Sequence, residues 1–292
     1  MLAKLVDKLW ENKLTDGGFA GKNAGNYRPD ATAWAIIALS LAGIHPRHLR
    51  PARQRLALSQ MKDGSIPISK HDPDVIWPTP LAILAWHGAD EFRTENANAS
   101  RFLLKTTGAH YKKKDPLGHD PELKGWPWVL KTHSWVEPTA LAIIALRISG
   151  FGEDGRVKEG IRMLLDRQLA AGGWNYGNIS IFGKDLYPMP ETTGIALSAL
   201  AGIIPGDKIR NSLTYLTKNF ESYVTPLSLS FSLLGISSYG MRPGLAENLI
   251  SRCLGREKDF ARYDTVMIGL LAIALTAREG IIEAFAKTGE GK

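Results

Sequence analysis

One short phrase recurs along this chain and restricts its fold more than any other feature: threonine, a small residue or proline, an apolar residue, then an apolar or small one. It reads Thr32-Ala33-Trp34-Ala35, Thr79-Pro80-Leu81-Ala82, Thr139-Ala140-Leu141-Ala142 and Thr193-Gly194-Ile195-Ala196. Weaker copies follow at Thr225-Pro226-Leu227-Ser228 and Thr265-Val266-Met267-Ile268. The copies lie roughly 30 to 60 residues apart, near the spacing of solenoid and toroid repeats. After the stronger copies come runs rich in Ala, Leu and Ile and almost free of charge, at 35–42, 82–86, 142–146 and 196–201. A helix apolar nearly all round must be buried on most of its surface. Gly43, Gly88, Gly150 and Gly202 close these runs as left-handed C-caps, and Pro78, Pro80, Pro138 and Pro226 fit the first turns.

Between the apolar runs lie amphipathic, charged segments at 2–10, 49–61, 96–105, 157–169, 207–219 and 245–254. In the fourth, Val157, Ile161, Leu164, Leu165 and Leu169 share one stripe, with Lys158, Arg162, Asp166 and Arg167 elsewhere. The expectation is an all-α chain that alternates a charged outer helix with an apolar inner helix six times. Closure into an α6/α6 toroid is favoured over an open solenoid because neither end carries a polar capping repeat. One toroid domain is expected over residues 1–292.

Composition is ordinary for a globular chain, 44% apolar and 22% charged. No apolar run reaches the roughly 18 to 20 residues of a membrane-spanning helix, and the charged amphipathic N-terminus does not read as a secretion signal. A single cysteine, Cys253, excludes an internal disulfide framework and fits a reducing, cytoplasmic setting. The formal charge of +7 leaves room for a peripheral membrane contact. The only dense basic run, Lys112-Lys113-Lys114 beside His110 and Tyr111, has no nucleic-acid motif around it and reads as a solvated loop.

The segment from Gly160 through Leu164, Gln168, Gly172 and Gly173 to Trp174 resembles the glutamine-tryptophan (QW) repeat of squalene-hopene and oxidosqualene cyclases. Glu159 and Met163 depart from that pattern, and degenerate copies stand at 13–19 and 60–66. The chain thus resembles the terpenoid cyclase and protein prenyltransferase superfamily of α/α toroids. The resemblance implies a central cavity for a hydrophobic isoprenoid, no cofactor, and a protonating acid two residues before the repeat threonine. Aligned on the threonines, that position holds Asp30, Trp77, Glu137, Glu191, Tyr223 and Tyr263, without the flanking acids of the full cyclase motif. The cyclases resembled usually carry two barrels; this chain has room for one, which leaves open a second subunit.

Asp30, Glu137 and Glu191 are therefore the candidate catalytic carboxyls, although a carboxylate at a helix start also caps the helix and complements its dipole. Trp128, His133, Trp135, Asn175 and Tyr176 are the candidate substrate-binding residues, because they crowd the entrances to two inner helices. Trp174, in the structural position of the repeat, reads instead as a hydrophobic plug. Paired carboxyls among aromatic rings also suit a carbohydrate-active barrel. A non-catalytic lipid-binding or interaction toroid is the third reading. No metal site is expected: Cys253 lacks an aspartate nearby, and no histidine follows it.

Overall fold

The computed structural model describes residues 1–22, 25–113, 118–259 and 261–289. Outer helices α1 (Leu2–Trp10), α3 (Pro46–Ala57), α5 (Arg93–Lys105), α7 (Gly155–Asp166), α9 (Arg210–Lys218) and α11 (Ala246–Gly255) alternate with inner ones. The inner helices are α2 (Pro29–Leu41), α4 (Pro78–Trp86), α6 (Val136–Ile148), α8 (Pro190–Leu200), α10 (Pro226–Ser237) and α12 (Thr265–Thr276). Each inner helix packs on the next, and α12 returns to α2. The Thr265 backbone N–H donates to the Gly21 carbonyl at 2.7 Å, and its hydroxyl donates to the Ala20 carbonyl at 2.6 Å, which ties the last repeat to the first. The protein is an α6/α6 toroid.

The recurring threonine now has a physical role. Its hydroxyl oxygen accepts the backbone N–H of the first residue after the turn that ends the preceding outer helix. The four bonds run from Phe19 to Thr32, Ile66 to Thr79, Trp126 to Thr139 and Trp174 to Thr193, at 2.9 to 3.0 Å. In three of the four the separation is 13 residues. Each threonine is fully buried, so it satisfies an amide that water cannot reach.

The turns themselves dock on the next outer helix. Gly64 and Gly172 have φ of +97° and +93°, and a Cβ there would lie 2.3 Å from the Asn98 carbonyl oxygen and 2.4 Å from the Asn211 carbonyl carbon. Only glycine meets both demands. Gln168 Nε2 donates to the Ser212 hydroxyl at 2.7 Å, and Gln60 Nε2 donates to the Glu95 carbonyl at 2.9 Å, so both glutamines bridge to the following repeat. Trp174 is fully buried, with its indole N–H on the Leu164 carbonyl at 2.6 Å.

Side chains and backbone of the inner helices meet inside the ring. Trp34 of α2 meets Phe231 of α10 with centroids 6.2 Å apart, both nearly fully buried. Between α8 and α10 the backbones touch: a Cβ on Gly194 would lie 2.1 Å from the Phe231 carbonyl oxygen, and one on Gly235 would lie 2.5 Å from the Gly194 carbonyl oxygen.

Three features go beyond the sequence expectation. A last helix, α13 (Ile281–Gly289), packs on α2 and α6 near the inner-helix C-termini, with Phe285 edge-on to His87 at 5.5 Å. A short antiparallel hairpin joins β1 (Ser180–Ile181) to β2 (Lys184–Asp185). The connection from α5 to α6 is long, and Arg156 anchors it: its guanidinium donates to the Thr106, Lys124 and Gly125 carbonyls and lies 3.7 Å from the Trp126 ring centroid. Burial lowers the Arg156 pKa to about 10. Lys112 and Lys113 are exposed on that connection, and Lys114 lies outside the described residues. Among the described residues no single helix is long and apolar enough to cross a membrane. The bent pair Thr265–Thr276 and Ile281–Lys287 passes on length and composition only, and α12 is largely buried in the ring.

Candidate functional site

Because the inner helices run in one direction, their N-termini gather at one end of the ring. Asp30, Glu137 and Glu191 are each the second residue of their helices. The structure separates them. Asp30, on α2, is fully buried and held by both nitrogens of the Arg28 fork, Nε to Oδ1 at 2.9 Å and Nη2 to Oδ2 at 2.5 Å. That bond to Asp30 raises the Arg28 pKa above its ordinary value. Asp30 is thus occupied as an ion-paired helix start.

Glu137 and Glu191 stand on adjacent inner helices, α6 and α8. Both are half-buried. Burial, and second the charge of Glu191, push the Glu137 carboxyl up to about 7. The helix N-terminus alone would lower it, so desolvation outweighs the dipole here. The Glu191 Oε2 accepts the Ser228 hydroxyl at 3.0 Å. Tyr176 lies close to both carboxyls: burial first, then the charges of Glu191 and Glu137, raise its phenol. The Tyr215 and Tyr223 phenols are raised mainly by burial, with Glu191 contributing to both.

Two stretches of chain carry the aromatic wall. The Val136 N–H donates to the Tyr176 carbonyl at 2.8 Å, and the Trp135 N–H donates to the Trp126 carbonyl at 3.1 Å, so the entrances to α6 and α8 run side by side. Trp128 stacks on Trp135 with centroids 5.3 Å apart and planes 22° from parallel, and it meets Tyr176 at 6.5 Å. Asn175 braces this wall from behind: its Oδ1 accepts the Tyr176 N–H, and its Nδ2 donates to the Tyr187 carbonyl at 2.6 Å. His133 is exposed and edge-on to Tyr111 at 5.8 Å, and it lines a pocket with Trp135 that neither Glu137 nor Glu191 lines.

The structure therefore brings Glu137, Glu191, Trp128, Trp135 and Tyr176 together and leaves Asp30 outside the group. It adds Ser228, Tyr215 and Tyr223, which sequence reasoning did not place. Tyr223 occupies the fifth aligned acid position, and Ser228 belongs to a weak threonine phrase; Tyr215 carries no comparable signal. Among the described residues no group of three His, Cys, Asp or Glu side chains is placed to hold a metal ion. A half-buried carboxyl near neutrality beside a second carboxyl can deliver a proton to a bound ligand while the second steadies positive charge.

Solved structures share this architecture. A protein from Actinoplanes superposes with a TM-score of 0.61 at 15% identity, covering 98% of this chain and 100% of that one. An inactive variant of an α-1,6-mannanase from Salegentibacter, in complex with α-1,6-mannotriose, gives 0.65 at 11% identity over 95% and 98%. A type II terpene cyclase from Scytonema gives 0.57 at 13% identity over 94% and 97%. The likeness is one of fold. No family model and no curated protein matches the sequence. The resemblance to terpenoid cyclases thus holds for architecture, which a mannanase shares equally.

Proposed function

We propose that the mouth of the toroid binds a carbohydrate and that Glu137 and Glu191 act on a glycosidic bond, with Glu137 as the general acid. The observation that carries this is the carboxyl pair, one member raised to about 7, set beside the Trp128–Trp135–Tyr176 wall. Glu137 would give its proton to the glycosidic oxygen as the carbon–oxygen bond breaks and the leaving sugar departs as an alcohol. Glu191 would face the positive charge that develops on the sugar ring, as nucleophile or by activating water, according to the separation of the two carboxyls. Flat aromatic rings suit the apolar faces of sugars.

Cyclisation of an isoprenoid fits less well. That reaction calls for an enclosed apolar chamber, whereas Trp34 and Phe231 meet edge-on inside the ring and take up part of its interior. At the mouth Tyr176, Val224 and Leu227 stand exposed. The deciding experiment incubates the protein with α-1,6-mannotriose, other short oligosaccharides and a polyprenyl panel including squalene, read by mass spectrometry, with Glu137→Gln and Glu191→Gln alongside. Saccharide cleavage that is lost in Glu137→Gln is the expected result. A cyclised isoprenoid product would overturn the proposal in favour of a cyclase. Retention of intact isoprenoid without turnover would overturn it in favour of a carrier.

A further inference from the structure

Trp135 also lines a pocket of about 320 Å³ that neither Glu137 nor Glu191 lines. This is at the lower end of the range of small-molecule sites, roughly 300 to 1,000 Å³. Tyr111, His119, His133, Trp135, Arg167 and Asn178 line it. The same two stretches of chain that form the aromatic wall reach this pocket. His133 to Trp135 line it, and Glu137 follows two residues later; Gly177 and Asn178 line it, and Tyr176 precedes them. Gly177 packs against Trp135, where a Cβ would sit 3.2 Å from the indole edge. The pocket and the aromatic wall therefore share Trp135, and Glu137 follows it by two residues at the start of α6.

The pocket wall holds an unusual group. His119 is only 5% exposed, and its Nδ1 meets no protein partner. Burial first, then the charge of Arg167, lower its pKa to about 4, so the ring is neutral at pH 7 and can either donate or accept a hydrogen bond. The Nδ1 nitrogen is closed off from solvent, and the ring meets a ligand through the edge that lines the pocket. The chemistry of the pocket also says which ligand. Arg167 is already engaged by the Gly177 and Asp120 carbonyls and by Asp166 at 3.2 Å, so it presents no free charge to an anion. A neutral imidazole, an amide, a phenol and an indole face suit an uncharged, hydroxyl-rich ring better than a carboxylate or a prenyl chain.

We propose that this pocket is a second sugar subsite, so that the ligand is an oligosaccharide running along Trp135 from the carboxyl pair to His119. The inference rests on the carbohydrate reading and adds to it the length and neutrality of the substrate. The test is calorimetry with two-unit and four-unit chains of α-1,6-mannose, β-1,4-glucose and β-1,4-xylose, using wild type, Tyr111→Ala and Asn178→Ala. In the series that binds, the longer chain is expected to bind about tenfold tighter, the scale of one or two added hydrogen bonds, and both variants are expected to lose that advantage. In the wild type, the His119 imidazole resonances should move with the four-unit chain and stay still with the two-unit chain, a readout independent of how the variants fold. Equal binding of both lengths with a silent His119 would overturn the subsite and leave the carbohydrate reading standing. No binding in any series would overturn both.

Discussion

Replacing Thr193 by valine should cost about 1 to 2 kcal/mol, although the two side chains have nearly the same shape. Thr193 is fully buried, and its hydroxyl accepts the Trp174 N–H at 3.0 Å. Valine leaves that amide without a partner in a place water cannot enter, a cost of about 1 to 3 kcal/mol. The Trp174 carbonyl is unaffected, because Thr192 donates to it at 2.7 Å while Thr193 reaches it only at 3.4 Å. The added methyl returns up to about 0.8 kcal/mol of hydrophobic stabilisation. For a two-state chain of 292 residues, unfolding entropy near the midpoint is about 0.6 kcal/mol per degree, so Tm should fall by about 2 to 3 °C. The control is Thr276→Val: its hydroxyl donates only to the Ala272 and Ile273 carbonyls of its own helix, and it should cost under about 0.5 kcal/mol. Thermal and urea unfolding, run on both variants and the wild type, check this. If the two substitutions cost the same, the threonine is not the bond that closes each repeat.

The folded Glu137 binds its proton more tightly than the unfolded chain does, its pKa being raised from 4.5 to about 7. Its contribution to stability is therefore greatest below pH 4.5, falls as pH rises from 4.5 to 7, and is constant above that. Glu137→Gln should remove this slope and be more stable than wild type at pH 8 in urea titrations; parallel pH profiles would refute the burial argument. At the α8–α10 crossing, Gly194→Ala should cost about 3 kcal/mol or more, because its methyl would lie 2.1 Å from the Phe231 carbonyl oxygen. Alanine favours a helix by about 1 kcal/mol over glycine, so a variant that melts at or above the wild-type temperature would show that the crossing opens easily.

The ring was legible because its period is written in side chains with a physical role. The apolar runs, the charged helices between them and the positive φ of Gly43, Gly88, Gly150 and Gly202 all agree with the sequence reading. The 13-residue interval between turn and threonine was equally present in the sequence, at Phe19 and Thr32, Ile66 and Thr79, and Trp126 and Thr139. Its meaning lies in a buried bond between turn amide and threonine hydroxyl, which no residue pattern spells out. The site was partly legible. Alignment on the threonines picked out Glu137 and Glu191, which are neighbours because α6 and α8 are successive inner helices. The same alignment picked out Asp30 with equal force, since nothing in Arg28-Pro29-Asp30 announces that the arginine folds back onto the carboxylate. Desolvation and the neighbouring charge of Glu191 separate Glu137 from an ordinary helix cap, and both depend on elements that no local pattern connects.

Closure of the ring at Thr265, Gly21 and Ala20 changes what each repeat is worth. In an open array a terminal repeat can be lost at the expense of a single interface. Here every repeat has two neighbours, and removing any one strips two apolar faces at once. The join between last and first repeats is not a peptide bond, yet it carries the same load as those that are. A permuted chain that opens at the Gly150 turn between α6 and α7 and links the present ends should therefore regain the same ring. A chain shortened by one helix pair should not settle into a smaller one.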